Sequence, residues 1–325
     1  MQPTSHIWTI DEHRLRSGEL LRGMRLAYTT LGDPSGDPVL VLHGTGGSGS
    51  ALLCAQFGGL LFGEGGPLDA RKHFIVLPDA LGHGKSSRPS DGLRTAFPRY
   101  VYSDLVELQH RLMTEALGLA RCKLIVGMSM GGMHAWEWGV RYPDFMEYLV
   151  PLASLPAPIA GRNRMLRRLL IDSVREDPKW RGGHYEQQPQ SLRRALAWFN
   201  AASNGGTLAL QRLAPTRQAA DRLIEHRLSQ PIDVDANDLV YQWDSSRDYD
   251  PSGSLHLIQA KVLAILSEDD ERSTEAALRH SIAKVRNGRM HVIPESADTC
   301  GHATVGNATL WIEALKELLD ICVPA

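Results

Sequence analysis

Residues 124–136, LIVGMSMGGMHAW, set one serine among glycines at the end of an apolar run. Gly127-Met128-Ser129-Met130-Gly131 fits G-x-S-x-G, a pattern in which a strand turns sharply into a helix and exposes a serine hydroxyl. Flanking glycines suit such a turn, because neighbouring backbone comes too close for side chains. The segment that follows, MGGMHAWEWGVRYP, reads as a helix up to Pro143. Its N-terminal amide dipoles would favour negative charge developing beside the serine. The context therefore predicts a nucleophile at Ser129 in preference to a plain Gly/Ser turn.

A serine hydroxyl attacks well only when a base takes its proton and an acid orients that base. In this kind of fold the acid and the base are expected in the order Ser, Asp, His, each in a loop after a strand. KVLAILS (261–267) is followed by EDDERS, which offers Asp269 and Asp270. Three residues past the strand-ending Ser267 is the usual register, so Asp270 is preferred, and Asp269 is expected as a solvated loop carboxylate. RMHVIPE (289–295) is followed by SADTCGHATV, whose His302 alone among thirteen histidines sits in a glycine-flanked loop after the last strand. His134, one turn into the helix after the serine, is expected to pack or line a pocket and not to act as the base.

LHGTGGSGS (42–50) supplies a fourth part. After a predicted strand, His43-Gly44-Thr45-Gly46-Gly47 suits an oxyanion loop, with the Thr45 and Met130 amides as its donors. Two other motifs compete. Gly44-x-Gly46-x-x-Gly49 satisfies a dinucleotide-binding pattern with Glu64 further on, but residues 54–63 offer no clean second strand ending in that acid. GHGKSS (82–87) imitates the end of a P-loop, yet Asp79 stands where its first glycine belongs.

The positioning elements follow from hydrophobic pattern. Strands are predicted at 39–43, 73–79, 123–128, 148–154, 261–267 and 289–295. A helix is predicted in YSDLVELQHRLMTEALG, with Ser103 as N-cap and Gly118 as stop, and another in NATLWIEALKELLDIC with Asn307 at its cap. Such alternation implies a mostly parallel sheet covered on both faces. Between about 155 and 250 only helical patterns occur, punctuated by Pro and Gly, which reads as an inserted helical cap.

Composition narrows the partners. With 35 Lys+Arg against 37 Asp+Glu the net charge is −2, which excludes nothing by itself but suggests neither nucleic acid nor an anionic membrane. The densest basic piece, GRNRMLRRLL (161–170), spaces its arginines as a solvated helix face would. Cys54, Cys122, Cys300 and Cys322 are scattered, arguing against a disulfide framework or a structural metal site. The N-terminal residues lack the apolar core of a signal peptide, so a cytoplasmic protein is expected, or else the mature form of an exported one. No cofactor is called for.

Taken together, these segments resemble the α/β-hydrolase superfamily, and within it the homoserine O-acetyltransferase branch. SGELLRGMRLAYTTLG (17–32), SMGGMHAWEWGVRYPD (129–144), DPKWRGGHY (177–185), DANDLVYQ (235–242) and GHATV (301–305) carry the likeness. It implies an α/β-hydrolase fold with a core of residues 1–154 and 251–325 and a cap of residues 155–250. It also implies Ser129, Asp270 and His302 as triad, Thr45 and Met130 at the oxyanion positions, and a homodimer. Three departures stand out. The branch has Gly-Gly-Ser-Met-Gly-Gly where this chain has Met128 before the serine, and Arg-Phe where it has Asp233-Val234. It has an Asn-led, Gly- and Ser-rich stretch where this chain reads PDALGHGKSSRP.

The expected activity is hydrolysis of a small ester, thioester or lactone through an acyl-enzyme. An acyl-CoA-dependent O-acyltransferase of the homoserine or serine type is the nearest alternative, and a non-catalytic binding protein on the same fold a more distant one. His43, Gly44, Trp136 and Tyr241 are candidates for lining the pocket.

Overall fold

The computed structural model describes residues 2–321. Eight strands form one sheet in the order β1-β2-β4-β3-β5-β6-β7-β8. They are β1 Thr4–Arg14, β2 Leu20–Leu31, β3 Asp37–Leu42, β4 His73–Pro78, β5 Cys122–Met128, β6 Met146–Leu152, β7 Lys261–Ser267 and β8 Gly288–Ile293. From β4 across to β8 every pairing is parallel, while β1 on β2 and β2 on β4 are antiparallel. The hairpin of β1 and β2 thus widens the sheet at one edge; neither was among the strands predicted from hydrophobic pattern.

Alternation along the central strands fills two cores. Val39, Val41, Ile75, Leu77, Leu124 and Val126 face one layer with Phe57, Leu61, Trp311 and Leu315. Leu40, Leu42, Phe74, Val76 and Ile125 face the other with Trp136, Trp138, Leu278 and Ile282. Because strand side chains alternate with period two, a strand apolar at every position must be buried on both faces. The covering helices are α1 Leu60–Phe62, α2 Tyr102–Arg111, α3 Met130–Arg141, α9 Glu275–Ile282 and α10 Ile312–Leu318. Residues 54–63 are helical turns, with no βαβ unit behind the glycines of 44–49.

Two predicted caps are corrected. Val101, not Ser103, precedes α2, and its amide is held by the Asp104 carboxylate at 2.9 Å. Asn307 caps a single 3₁₀ turn at 308–310, and α10 starts after Trp311. Cys322, the fourth cysteine, lies outside the described residues.

Between β6 and β7 the chain is helical: α4 Gly161–Arg175, α5 Gln190–Ser203, α6 Thr207–Leu213, α7 Arg217–Ser229 and α8 Ala236–Asp244. Helices α4, α5 and α8 share a core of their own, built on Leu170, Val174, Leu192, Phe199, Leu239 and Trp243. Buried polar bonds seat these helices on the sheet domain. Ser90 gives its amide and hydroxyl to Asp238 at 2.9 and 2.6 Å, and Gln242 gives its amide to Gly82 O at 2.7 Å. No described helix is long and apolar enough to cross a membrane.

Candidate active site

Strand β5 ends at Met128, and α3 begins at Met130. Ser129 between them holds φ +54° and ψ −109°, a conformation that non-glycine residues rarely adopt. Its amide donates to Leu152 O at 2.9 Å and its carbonyl accepts from the Met133 amide at 2.9 Å, so both neighbours fix it. The surrounding glycines are sterically required. A Cβ on Gly127 would stand 2.1 Å from Gly131 O, and one on Gly131 would stand 2.2 Å from Leu42 O. On Gly132 it would meet Ser154 Oγ at 2.5 Å.

Loops after β7 and β8 bring the other two groups to this serine. Ser129 Oγ lies 2.8 Å from His302 Nε2, and His302 Nδ1 lies 3.0 and 2.9 Å from the two oxygens of Asp270. Asp270 Oδ1 also accepts the amides of Arg272 and Ser273, at 2.8 and 2.9 Å. All three side chains are buried. Burial alone would raise the Asp270 carboxyl, but the facing His302, its hydrogen bond and the two amides outweigh it and hold the group below the usual range. Asp270 is therefore a carboxylate, able to keep the proton on Nδ1 and leave Nε2 free to accept from the serine.

The loop after β3 packs against the serine, where a Cβ on Gly44 would stand 3.6 Å from that of Ser129. His43 braces this loop from behind. Its Nε2 accepts the Ala80 amide at 3.0 Å, so its Nδ1 carries the proton and donates to Gly44 O at 2.8 Å. His43 is 3% exposed and belongs to the scaffold, which corrects its place among pocket candidates. Thr45 Oγ1 is buried without a hydrogen-bond partner. Asp79, at the end of β4, receives the amides of Gly49 at 2.7 Å and Lys85 at 2.8 Å, and so holds the glycine loops of 44–49 and 82–87 together.

Other candidates fall elsewhere. Trp136 sits on the inner face of α3, fully buried in the sheet core, because its position in the helix points it at β-strand side chains. Tyr241 donates to Phe97 O at 2.6 Å and lines a cavity of about 170 Å³ with Thr95, Arg99, Tyr100 and Arg175. That cavity does not include Ser129. His134 is buried edge-on to Tyr102 and accepts from Gln109 at 3.1 Å.

Sequence reasoning missed the neighbours of Asp270. Asp269 is no solvated carboxylate: it accepts from Ser267 Oγ and, at 2.8 Å, from the Gly301 amide. Glu271 accepts the Gly206 amide at 2.8 Å and the His302 amide at 3.3 Å. Gly206 and Gly301 stand back to back at positive φ, each too close for the other to carry a Cβ. The segment between α5 and α6 thus rests directly on the histidine loop. The nearest signal in the sequence is the acidic run EDDE after β7, which does not say which loop each acid holds. No cluster of three or more metal-ligating side chains occurs among the described residues.

Comparison with known proteins places this geometry. The model of the alpha/beta hydrolase fold family matches residues 37–304. A Methanothermobacter thermautotrophicus protein named "Probable acyltransferase" is 28% identical over 80% of this chain and 81% of its own length. Homoserine O-acetyltransferase of Haloferax volcanii is 32% identical over 57% of this chain, and the match spans about half (49%) of that enzyme. Among solved structures, esterase E22 superposes with a TM-score of 0.86 at 17% identity, covering 98% of this chain and 100% of that one. Homoserine O-acetyltransferase from Bacillus anthracis gives the same TM-score of 0.86 at 21% identity, covering 100% of both chains. The backbone is therefore shared equally by a hydrolase and a transferase.

Proposed function

The chain belongs to the α/β-hydrolase family, and on that premise we propose that it is a serine hydrolase that cleaves a small ester, thioester or lactone through an acyl-enzyme. The observation that carries this reading is the unbroken buried line from Asp270 through His302 to Ser129 Oγ, with contacts of 2.9 and 2.8 Å. In the first half-reaction Ser129 Oγ attacks the carbonyl carbon as His302 Nε2 takes its proton. Negative charge moves to the carbonyl oxygen, where the amides of Thr45 and Met130 would donate to it. Each such donor contributes about 2.7–4 kcal/mol to the transition state. The leaving group takes the proton from His302, and water deprotonated by the same nitrogen then releases the acid and restores the serine. Asp270 stays ionised throughout and stabilises the imidazolium.

Acyl transfer uses the same first half-reaction, and the acyltransferase names among the relatives favour it as the second reading. The acceptor would then be a hydroxyl amino acid and the donor an acyl-CoA. Met128, Asp233-Val234 and the Asp79-centred loop stand where the transferase branch has other residues, which supports water as acceptor. The test is a panel of short-chain esters, lactones and acyl-CoAs, each with and without homoserine or serine, followed by mass spectrometry. Free acid is the expected product. Faster formation of O-acylhomoserine than of free acid would overturn the hydrolase reading in favour of the transferase.

A further inference from the structure

Two arginines stand out beside this centre because neither has an acidic partner. Arg167, on α4, belongs to the basic segment expected to be solvated, and it is 1% exposed. The arginines around it, Arg162, Arg164 and Arg168, are exposed as expected; Arg167 turns inward because position 167 shares a face with the buried Leu170 and Val174. Its Nε donates to Asn163 Oδ1 at 2.9 Å and one terminal nitrogen to Ser246 Oγ at 3.0 Å. Arg272, two residues after the triad acid, donates from Nε to Ser203 O at 2.9 Å. The Trp243 ring lies between them, 4.7 Å from the Arg167 guanidinium carbon and 5.7 Å from that of Arg272.

Every one of these bonds goes to a neutral oxygen. Among the described residues no carboxylate pairs with either guanidinium, although sixteen arginine or lysine contacts to carboxylates occur elsewhere among them. Glu271, the nearest acid in sequence, spends its oxygens on the Gly206 and His302 amides. Burial and the like charge of Arg167 pull Arg272 down to about 10. Asp270 and Glu271 act favourably on the Arg272 charge, but neither makes a contact ion pair with a guanidinium, and two buried guanidiniums without a direct ionic partner are stabilised by an anion that joins them. The Tyr102 hydroxyl, which is buried without a partner, is among the groups acting on the Arg272 charge.

We propose that Arg167 and Arg272 form an anion subsite on the cap side of the Ser129 centre, selecting substrates that carry a carboxylate near the scissile ester. The subsite rests on the hydrolase reading above and names its substrate class. A planar carboxylate suits it because guanidinium forks donate in pairs to two oxygens at once. The cation–π contacts keep the forks oriented without neutralising them. Stapling the cap to the acid loop, through Ser203 O and the Phe199 ring at 4.9 Å, takes up the Nε of Arg272 and none of its terminal nitrogens.

The test compares esters matched in length but differing in charge: p-nitrophenyl hydrogen glutarate against p-nitrophenyl valerate, and 4-acetoxybutyrate against butyl acetate. For one pair or the other, kcat/KM should favour the anion by about tenfold or more, the worth of a charged hydrogen bond. That ratio should collapse in Arg167→Gln and in Arg272→Gln whatever happens to the absolute rates, and should recover in part in the matching Lys variants. No preference in either pair, or a ratio that survives both Gln changes, would overturn the subsite while leaving ester hydrolysis intact. Calorimetry on Ser129→Ala protein decides the subsite even if no ester is cleaved. Glutarate should bind saturably and lose binding when Arg272→Gln is added, whereas equal binding of glutaramide would refute it. Tighter binding of inorganic phosphate than of glutarate would refute the carboxylate assignment.

Discussion

At Ser129 the backbone is held at φ +54° by its neighbours, and Gly131 leaves no room beneath the turn for a single methyl group. Gly131→Ala would press a Cβ onto Leu42 O, which is backbone and cannot swing away. The expected loss is about 3 kcal/mol or more in urea unfolding, at or above the usual range for overpacking. Asp270→Asn should leave the fold intact but present the wrong proton arrangement to His302, lowering kcat by about ten-thousand-fold with little change in KM. Stopped-assay kinetics on a short-chain ester would check it, and a loss under tenfold would remove Asp270 from the catalytic line. Residue identities were legible where chemistry demands a rare type: a serine among glycines, a histidine in a glycine-flanked loop. The choice between Asp269 and Asp270 was a matter of register alone. What separates them is that one carboxylate meets an imidazole and the other an amide, a difference of direction and not of residue type.

At the scale of elements, strand ends do the positioning, since β5, β7 and β8 deliver the serine, the acid and the histidine to one edge of the sheet. Those strands were legible because burial on both faces leaves unbroken apolar runs. Strand β1 was not, because it lies at the sheet edge with most residues exposed, and its sequence carries charges where a core strand carries Val or Ile. Trp136 was misplaced for a related reason: helical spacing shows that a residue shares a face, but not which side of the protein that face meets. The contact of Gly206 with Glu271 joins residues 65 apart and has no local signature. It also makes a prediction about the cap. Glu271→Ala should free the segment between α5 and α6, so limited proteolysis there should quicken and kcat should fall, with Ser129 still labelled by a fluorophosphonate. Unchanged cleavage of this segment would mean that the cap is held by its other bonds alone.

Across the whole molecule, three histidines sit buried behind the centre. His43, His83 and His134 all have depressed pKa values, burial being the first cause in each case, and His134 is lowered to about 3. Folding disfavours the charged form of all three, while the unfolded chain takes up protons below its ordinary 6.5. Stability they support is therefore complete above that value and drains away as pH falls below it. For His134 the slope approaches about 1.4 kcal/mol per pH unit, and the other two add to it in the same direction. Melting temperature measured from about pH 8 to about pH 5 should hold level and then drop; a flat profile would show that these side chains reach water before unfolding. Finally, the Glu271 carboxylate that grips Gly206 with one oxygen and the His302 amide with the other ties the helical segment between β6 and β7 to the His302 loop. Any part of a ligand's binding free energy that is coupled through this carboxylate to the hold on His302 acts in both directions, so loosening His302 must weaken that ligand by the same coupling amount.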